Sequence, residues 1–376
     1  MKRSTHSDGA IGPLYDFNLS ICTEKRKDNG EDAILYAASD RSVLACALDG
    51  CGGSGAKQYP TFRNKTGAYM ASRVVFGAVK DWYLENGGDI SPENAAGPLK
   101  QKVLRYLEIC NRQGGEISRF KGNISKDFPT TAAIEICTAG EKQVNILSLW
   151  AGDSRCYVLT PEGLMQLSDE DLYGYDAMEN LMADGVLTNV ISASKPFEIH
   201  SRQVSVPTPC VAFTATDGCF GYYTTPMEFE FLLLDTLEES SSPVEWEKGI
   251  ISRLNDISGD DFTLSGFALG FGTFEAMQQA FALRHEALYR GYIKGLSELT
   301  VEEKIALWHR YSPAYSRHLA PPKPAKPVKT EVPVPPKTEA CPPTPPKAVV
   351  RPAKKAAGPA PETQNKPTLI RPGDLD

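Results

Sequence analysis

Over the first 272 residues, short apolar runs bounded by turn residues alternate with longer stretches of helical period. YDFNLSIC (15–22), AILYAA (33–38) and SVLACAL (42–48) read as strands. Ala71, Val74, Val75, Ala78, Val79 and Trp82 recur every three or four positions and predict an amphipathic helix over 66–85. Leu99, Val103, Leu104 and Leu107 predict a second. Strands resume with TTAAIEIC (130–137), VNILSLW (144–150), RCYVL (155–159), FEIHSRQVSV (197–206) and CVAFTAT (210–216). Helical patterns over 226–239 and 243–255 precede a last strand, FTLSGFALGF (262–271). Many strands with few helices, not in regular alternation, favour an α+β layered fold over a doubly wound one.

Residues 273–320 form a helical extension. Phe274, Met277, Phe281, Leu288 and Tyr292 share one helical face, and Thr300 with Glu303 makes a capping box ahead of Ile305, Leu307 and Trp308. A hairpin docked on the core and a partner-binding appendage both suit this pattern. From Pro321 the composition changes: 16 of 56 residues are proline, ten are Lys or Arg and five are acidic. Such a segment buries too little apolar surface to offset the entropy of ordering, so 321–376 reads as a disordered, partly polyproline-II tail.

That division alters the meaning of the net charge. The chain carries 40 basic and 47 acidic residues, or −7. The tail accounts for +5, ten minus five, which leaves −12 on residues 1–320. An acidic body argues against nucleic acid as a partner. Nine cysteines with no C-x-x-C pair, most of them inside apolar runs, point to a reducing compartment. MKRSTHSDGAIG has positive charge but no apolar stretch, so a signal peptide is not expected. No apolar window is long enough to predict a membrane span, and a cytoplasmic location follows.

The acids recur in one setting, where an apolar strand begins or ends. ACALDG places Asp49 at a strand end, SLWAGDSR places Asp153 in a turn, and AFTATDG places Asp217 at another strand end. SGDDFTL places Asp260 and Asp261 at a strand start, and Glu31 and Asp32 stand just before AILYAA. Singly, an Asp beside Gly is a turn residue. Brought together, such carboxylates repel unless a cation neutralises them, and oxygen-only clusters suit Mg²⁺ or Mn²⁺. The five histidines show no ligand spacing for zinc. Gly50, Gly52 and Gly53 would allow close approach of backbone oxygens and waters.

The order NGEDA, ALDGCGG, PTTAAI, WAGDSRCYVL, TATDGCFG and GDDFTL, over roughly residues 15–271, resembles the metal-dependent serine/threonine protein phosphatases of type 2C. The resemblance implies a catalytic domain over 1–272, built as a central β-sandwich of two mostly antiparallel sheets flanked by helices. It implies two Mn²⁺ or Mg²⁺ ions, with a third at a weaker site, and a phosphoprotein substrate hydrolysed without a phosphoenzyme. By motif position Asp49 resembles the carboxylate bridging both metals, with the Gly50 carbonyl as a further ligand. Glu31 resembles a carboxylate on one metal and Asp32 the neighbour that holds a water there. Asp217 and Asp260 resemble the ligands of the other metal, and Asp153 the residue of the third site. Asp261 takes a slot often filled by Asn.

Three positions depart from the family pattern. Where an arginine usually grips the substrate phosphate stands Lys27, with Arg26 beside it, and lysine lacks the bidentate fork. Asp171 in LSDEDL stands where His is common, and Gly221 where many members carry a second Asp. Cys51 occupies a position where some members have a His proposed as general acid. The departures at Lys27, Asp171 and Gly221 motivate an alternative, a catalytically weak scaffold that binds phosphoproteins through the domain and partners through its helices and tail. A phosphatase of small phosphorylated metabolites is a further one. The tail's P-x-x-P-like spacings would suit a Pro-motif-binding domain, and a cognate kinase is the other candidate partner. Deletion of 321–376 is expected to leave kcat on a small phosphate ester unchanged, measured by steady-state hydrolysis; a large loss would place the tail in the catalytic unit.

Overall fold

Strands β1 (Phe17–Thr23), β2 (Ala33–Ala38) and β3 (Ser42–Leu48) come first, followed by a single helical turn, α1 (Gly52–Gly55). The two-residue strands β4 (Gln58–Tyr59) and β5 (Lys65–Thr66) precede helices α2 (Gly67–Glu85) and α3 (Ala96–Gln113). Next come β6 (Ala132–Ala139), β7 (Gln143–Ala151), β8 (Arg155–Thr160), β9 (Gly163–Gln166), helix α4 (Ala177–Met182), β10 (His200–Pro207) and β11 (Cys210–Ala215). Helices α5 (Pro226–Glu239) and α6 (Pro243–Ile257), strand β12 (Phe262–Leu269) and helices α7 (Phe274–Leu288) and α8 (Val301–Tyr315) complete the order. This computed structural model describes residues 14–114, 127–140, 142–172, 176–182 and 185–320. The expected tail, 321–376, lies outside the described residues.

Two five-stranded antiparallel sheets, β1-β12-β11-β8-β9 and β10-β7-β6-β3-β2, pack face to face with helices outside. This is the helix-flanked β-sandwich that the motif order implies. On β3, Val43 and Ala45 join Cys156, Val158 and Phe267 between the sheets, whereas Leu44, Cys46 and Leu48 lie beneath α2 and α3 with Val75, Val79 and Leu99. A strand covered on both faces is a continuous apolar run, which is why SVLACAL shows no polar alternation. The outer face of the first sheet, with Tyr157, Phe213 and Leu264, shares one core with Leu233 of α5, Trp246 of α6, Met277 of α7 and Tyr315 of α8.

The local signals hold at most boundaries. Thr66 caps α2 by accepting from the Tyr69 N–H at 3.0 Å. The Thr300–Glu303 capping box opens α8. The last strand stops at Leu269, two residues early, because Gly270 turns away with φ of 85°. The four-residue β9 has no periodicity of its own and was not expected.

Alternation also places Glu135 of β6 on the inter-sheet face, beside Ala133 and Cys137. It is fully buried, and neither carboxyl oxygen has a hydrogen-bonding partner; nor has the hydroxyl of Ser148, its neighbour across the ladder. Burial pushes the Glu135 carboxyl well up, against a smaller opposing pull from the Tyr157 backbone. A folded-state pKa above the unfolded one means the native state holds the proton more tightly. Its stability is therefore fullest below the ordinary carboxyl range and falls as pH rises from there towards the folded pKa. Glu135→Leu is expected to stabilise the protein at neutral pH by about 1–3 kcal/mol. It should also flatten the decline of Tm between pH 5 and 8; an unchanged or steeper decline would refute this account.

Candidate metal centre

The ladder registers bring the acidic motifs to one edge of the sandwich. In the second sheet Ala33 pairs with Leu48, Ala47 with Ala133, and Ala132 with Ala151. In the first, Ala215 pairs with both Arg155 and Leu264, and Thr23 with Phe262. Glu31–Asp32, Asp49, Asp153, Asp217 and Asp260–Asp261 each lie within a few residues of these paired ends.

Glu31, Asp32, Asp49 and Asp261 are held by backbone or hydroxyl hydrogen bonds. The Asp49 carbonyl accepts from the Thr131 N–H at 2.8 Å and from Thr130 Oγ1 at 2.6 Å. Thr131 Oγ1 is 2.6 Å from Ser154 Oγ, which ties the PTT and GDSR segments together. The Glu31 N–H donates to Asp261 Oδ2 at 2.7 Å, its carbonyl accepts from Ser72, and its Oε1 accepts from Thr66 Oγ1. Asp32 is only 4% exposed, and its Oδ2 accepts from Thr216 Oγ1 at 2.9 Å. Asp261 also accepts from the Lys25 N–H at 2.7 Å, so it fastens the loop before β2 to the start of β12. Asp260 is exposed. Two glycines are required by space, because a Cβ would meet backbone: at Gly50 it would lie 2.6 Å from the Ala68 carbonyl, and at Gly218 1.9 Å from the Asp261 carbonyl.

The carboxyls are desolvated together. Burial, followed by Asp217, Asp32, Asp153 and Asp260, pushes Asp49 well up. Burial raises Asp32 to about 8, with Asp217 and Asp261 adding to it and hydrogen bonds from Thr216 and Thr263 opposing. Asp153 is raised to about 8 by burial, then by Asp217 and Glu170. Asp217 and Glu31 rise for the same first cause, burial. Asp153 Oδ1 is buried with no partner.

A hard divalent cation fits this donor set, which is all oxygen, mutually repelling and partly unpartnered. Among the described residues, no three of these acids bring ligand oxygens within 4.8 Å of one another. A tighter group, Asp235, Glu238 and His285, lies elsewhere between α5 and α7. His285 Nε2 is 3.0 Å from Asp235 Oδ1, its Nδ1 contacts Glu238, and Arg253 pairs with Asp235 and Glu239. The carboxylates of that cluster therefore already have protein partners.

Of the residues expected to bind phosphate, Arg26 and Lys27 lie exposed in the turn before Glu31. Neither side chain makes a hydrogen bond or ion pair with a described residue. Arg73 stands nearer Glu31, with its guanidinium stacked 3.9 Å from the Tyr69 ring centroid. Nothing in its helical spacing signals that place.

The unusual positions find local reasons. Asp171 Oδ2 accepts from the Gly152 N–H at 2.9 Å and from Asn189 Nδ2 at 2.7 Å, so it clasps the turn that carries Asp153. Gly221 donates its N–H to the Asp217 carbonyl at 2.6 Å, and a Cβ there would lie 2.9 Å from that oxygen. A cleft of about 300 Å³ opens beside Asp153 and Asp217, with Arg155, Glu170, Asn180 and Phe220 among its walls.

No family model matches the chain, and no curated protein does. Solved structures do. The likeness is to bacterial serine/threonine phosphatases. One from Staphylococcus aureus is 18% identical, with 67% of this chain and 94% of that one covered at a TM-score of 0.49. One from Mycobacterium tuberculosis is 15% identical over 67% and 98% of the two chains, with a TM-score of 0.47. A catalytic domain described in complex with two manganese ions is 13% identical over 68% and 98%, with a TM-score of 0.43.

Asp49→Asn removes one member of the repelling set. In metal-free buffer it is expected to raise Tm by roughly 2–4 °C and to abolish most of the stabilisation that Mn²⁺ gives the unaltered chain. Differential scanning calorimetry with and without Mn²⁺ checks both; a lower metal-free Tm would contradict the repulsion argument.

Proposed function

We propose that the chain hydrolyses phosphoserine and phosphothreonine in proteins with the aid of divalent metal ions. The observation that carries this reading is the convergence of Glu31, Asp32, Asp49, Asp153 and Asp217, desolvated and repelling one another, with the exposed Asp260 at the same sandwich edge. Asp49 with the Gly50 carbonyl, Glu31, Asp217 and Asp260 would hold two Mn²⁺ or Mg²⁺ ions, and Asp153 would serve a third. When bound, such ions supply Lewis-acid activation of water and neutralise charge on phosphoryl oxygens.

The chain's own residues do the rest. Asp32, buried and held through Oδ2 by Thr216, would orient a water and accept its proton. Thr66 and Ser72 hold Glu31 against the repulsion of its neighbours, so the site keeps its shape before substrate arrives. Arg26 and Lys27, exposed at the rim, meet the dianionic phosphate on entry. As flexible cations they contribute more to binding than to the barrier. On this reading residues 1–272 carry the chemistry and 273–320 are the helical extension.

The test is phosphate release from a phosphothreonine peptide by the purified chain in Mn²⁺, Mg²⁺ or chelator. Metal-dependent release is expected, with Asp49→Asn reducing kcat roughly a hundredfold or more. Replacing Arg26 and Lys27 together by Ala should raise KM while changing kcat less. No release at any metal concentration would reject the proposal in favour of a binding scaffold.

A further inference from the structure

Helix α8 reaches back to the strand β8–α4 region at separate points. Tyr315, 1% exposed, donates its hydroxyl to Gln166 Oε1 at 2.9 Å and lies 3.3 Å from the Tyr157 hydroxyl. Trp308, 2% exposed, donates Nε1–H to Asp176 Oδ2 at 2.6 Å. Asp176 in turn caps α4, its Oδ1 accepting from the N–H groups of Met178 and Glu179 at 3.0 and 2.9 Å. Just past the helix, the Ala320 N–H donates to Asp169 Oδ1 at 2.9 Å.

Between these points lie Glu170 and Asp171, and both act on the acidic edge. Glu170 pairs with Arg155, whose Nε and Nη2 lie 2.8 and 2.7 Å from Oε1; the two side chains are 6% and 1% exposed. Arg155 is further held by the hydroxyls of Tyr157 and Tyr315, at 3.1 and 3.3 Å, and by the Phe220 ring at 4.0 Å. Asp171 holds the Gly152 N–H through Oδ2, and its own N–H donates to the Gly152 carbonyl at 3.0 Å. Asp153 thus sits between two restrained neighbours, Gly152 and Arg155.

We propose that α8 is a positioning element of the acidic centre. Tyr315 and Trp308 hold the chain around Glu170 and Asp171, and through them Arg155 and the Gly152 amide, so that Asp153 and Asp217 present their carboxylates to a divalent cation. The sign of the effect follows from Arg155, a permanent cation close to both carboxylates. Kept on Glu170, it leaves them to the metal ion; loosened, it turns towards Asp153 and Asp217 and competes for the same negative charge. The inference rests on the metal-dependent reading of the centre, and the experiment separates the two.

The test uses the full chain, without substrate, titrated with Mn²⁺ in a calorimeter, alongside a thermal melt in chelator. Tyr315→Phe keeps the ring and loses the hydroxyl; Trp308→Phe loses the indole N–H together with part of the buried ring. Each is expected to weaken the weakest resolvable Mn²⁺ step roughly three- to tenfold. The control is Tyr311→Phe, on the same helix: Tyr311 is buried and bonded to Glu230 rather than to this segment. It is expected to lower Tm and leave Mn²⁺ binding within twofold. If Tyr315→Phe and Trp308→Phe fold and bind Mn²⁺ as the unaltered chain does, or if Tyr311→Phe weakens binding equally, α8 is only a packing element and the proposal fails. Should one variant not fold, the other decides. An unaltered chain that binds no Mn²⁺ overturns the metal-dependent reading itself.

Discussion

The repulsion among desolvated carboxylates at one sandwich edge is the constraint around which the rest is arranged. Asp49, Asp32, Asp153 and Asp217 all resist ionisation, with burial as the first cause in each case. Groups that repel stay together only where something else fixes their backbones, and here two sheets and a set of hydroxyls do so. Thr130 and Thr131 clasp Asp49, Thr216 clasps Asp32, and Thr66 clasps Glu31. The stability invested in the sandwich thus maintains a local arrangement that is unfavourable without a cation.

Much of this was legible from local pattern. Apolar runs mark the strands, and the capping box at Thr300 marks the start of α8, because those signals involve neighbours in sequence. The acids stood out because each sits where a run begins or ends. The clasping hydroxyls were not legible: Thr216 and Asp32 are 184 positions apart, and Thr66 and Glu31 are 35 apart. A threonine near a strand end carries no mark of the carboxylate that it will meet. Asp171 shows the same limit. Spacing presents it as a departure from a motif, whereas its hydrogen bonds make it the anchor of the Gly152 turn.

The helices after β12 illustrate how packing and site can share residues. Met277, Phe281, Trp308 and Tyr315 lie in one core with the outer face of the first sheet. The buried Arg155–Glu170 pair stands where that core meets the acidic edge. A buried ion pair contributes little net stability by itself, since desolvation offsets attraction. Its fixed direction is the more useful property here, because it settles where one cation points.

Strand β3 carries a consequence of another kind. Its Val43 and Ala45 side chains belong to the core between the sheets and Leu44, Cys46 and Leu48 to the core beneath α2 and α3, and the strand runs directly into Asp49. In a strand with one wet face, every second position tolerates exchange; β3 has no such face. A map of accepted substitutions should therefore show a continuous intolerant block from Ser42 to Asp49, rather than the usual alternation. Drift in either core would be felt at the same carboxylate, so the two halves of the protein are obliged to vary in concert.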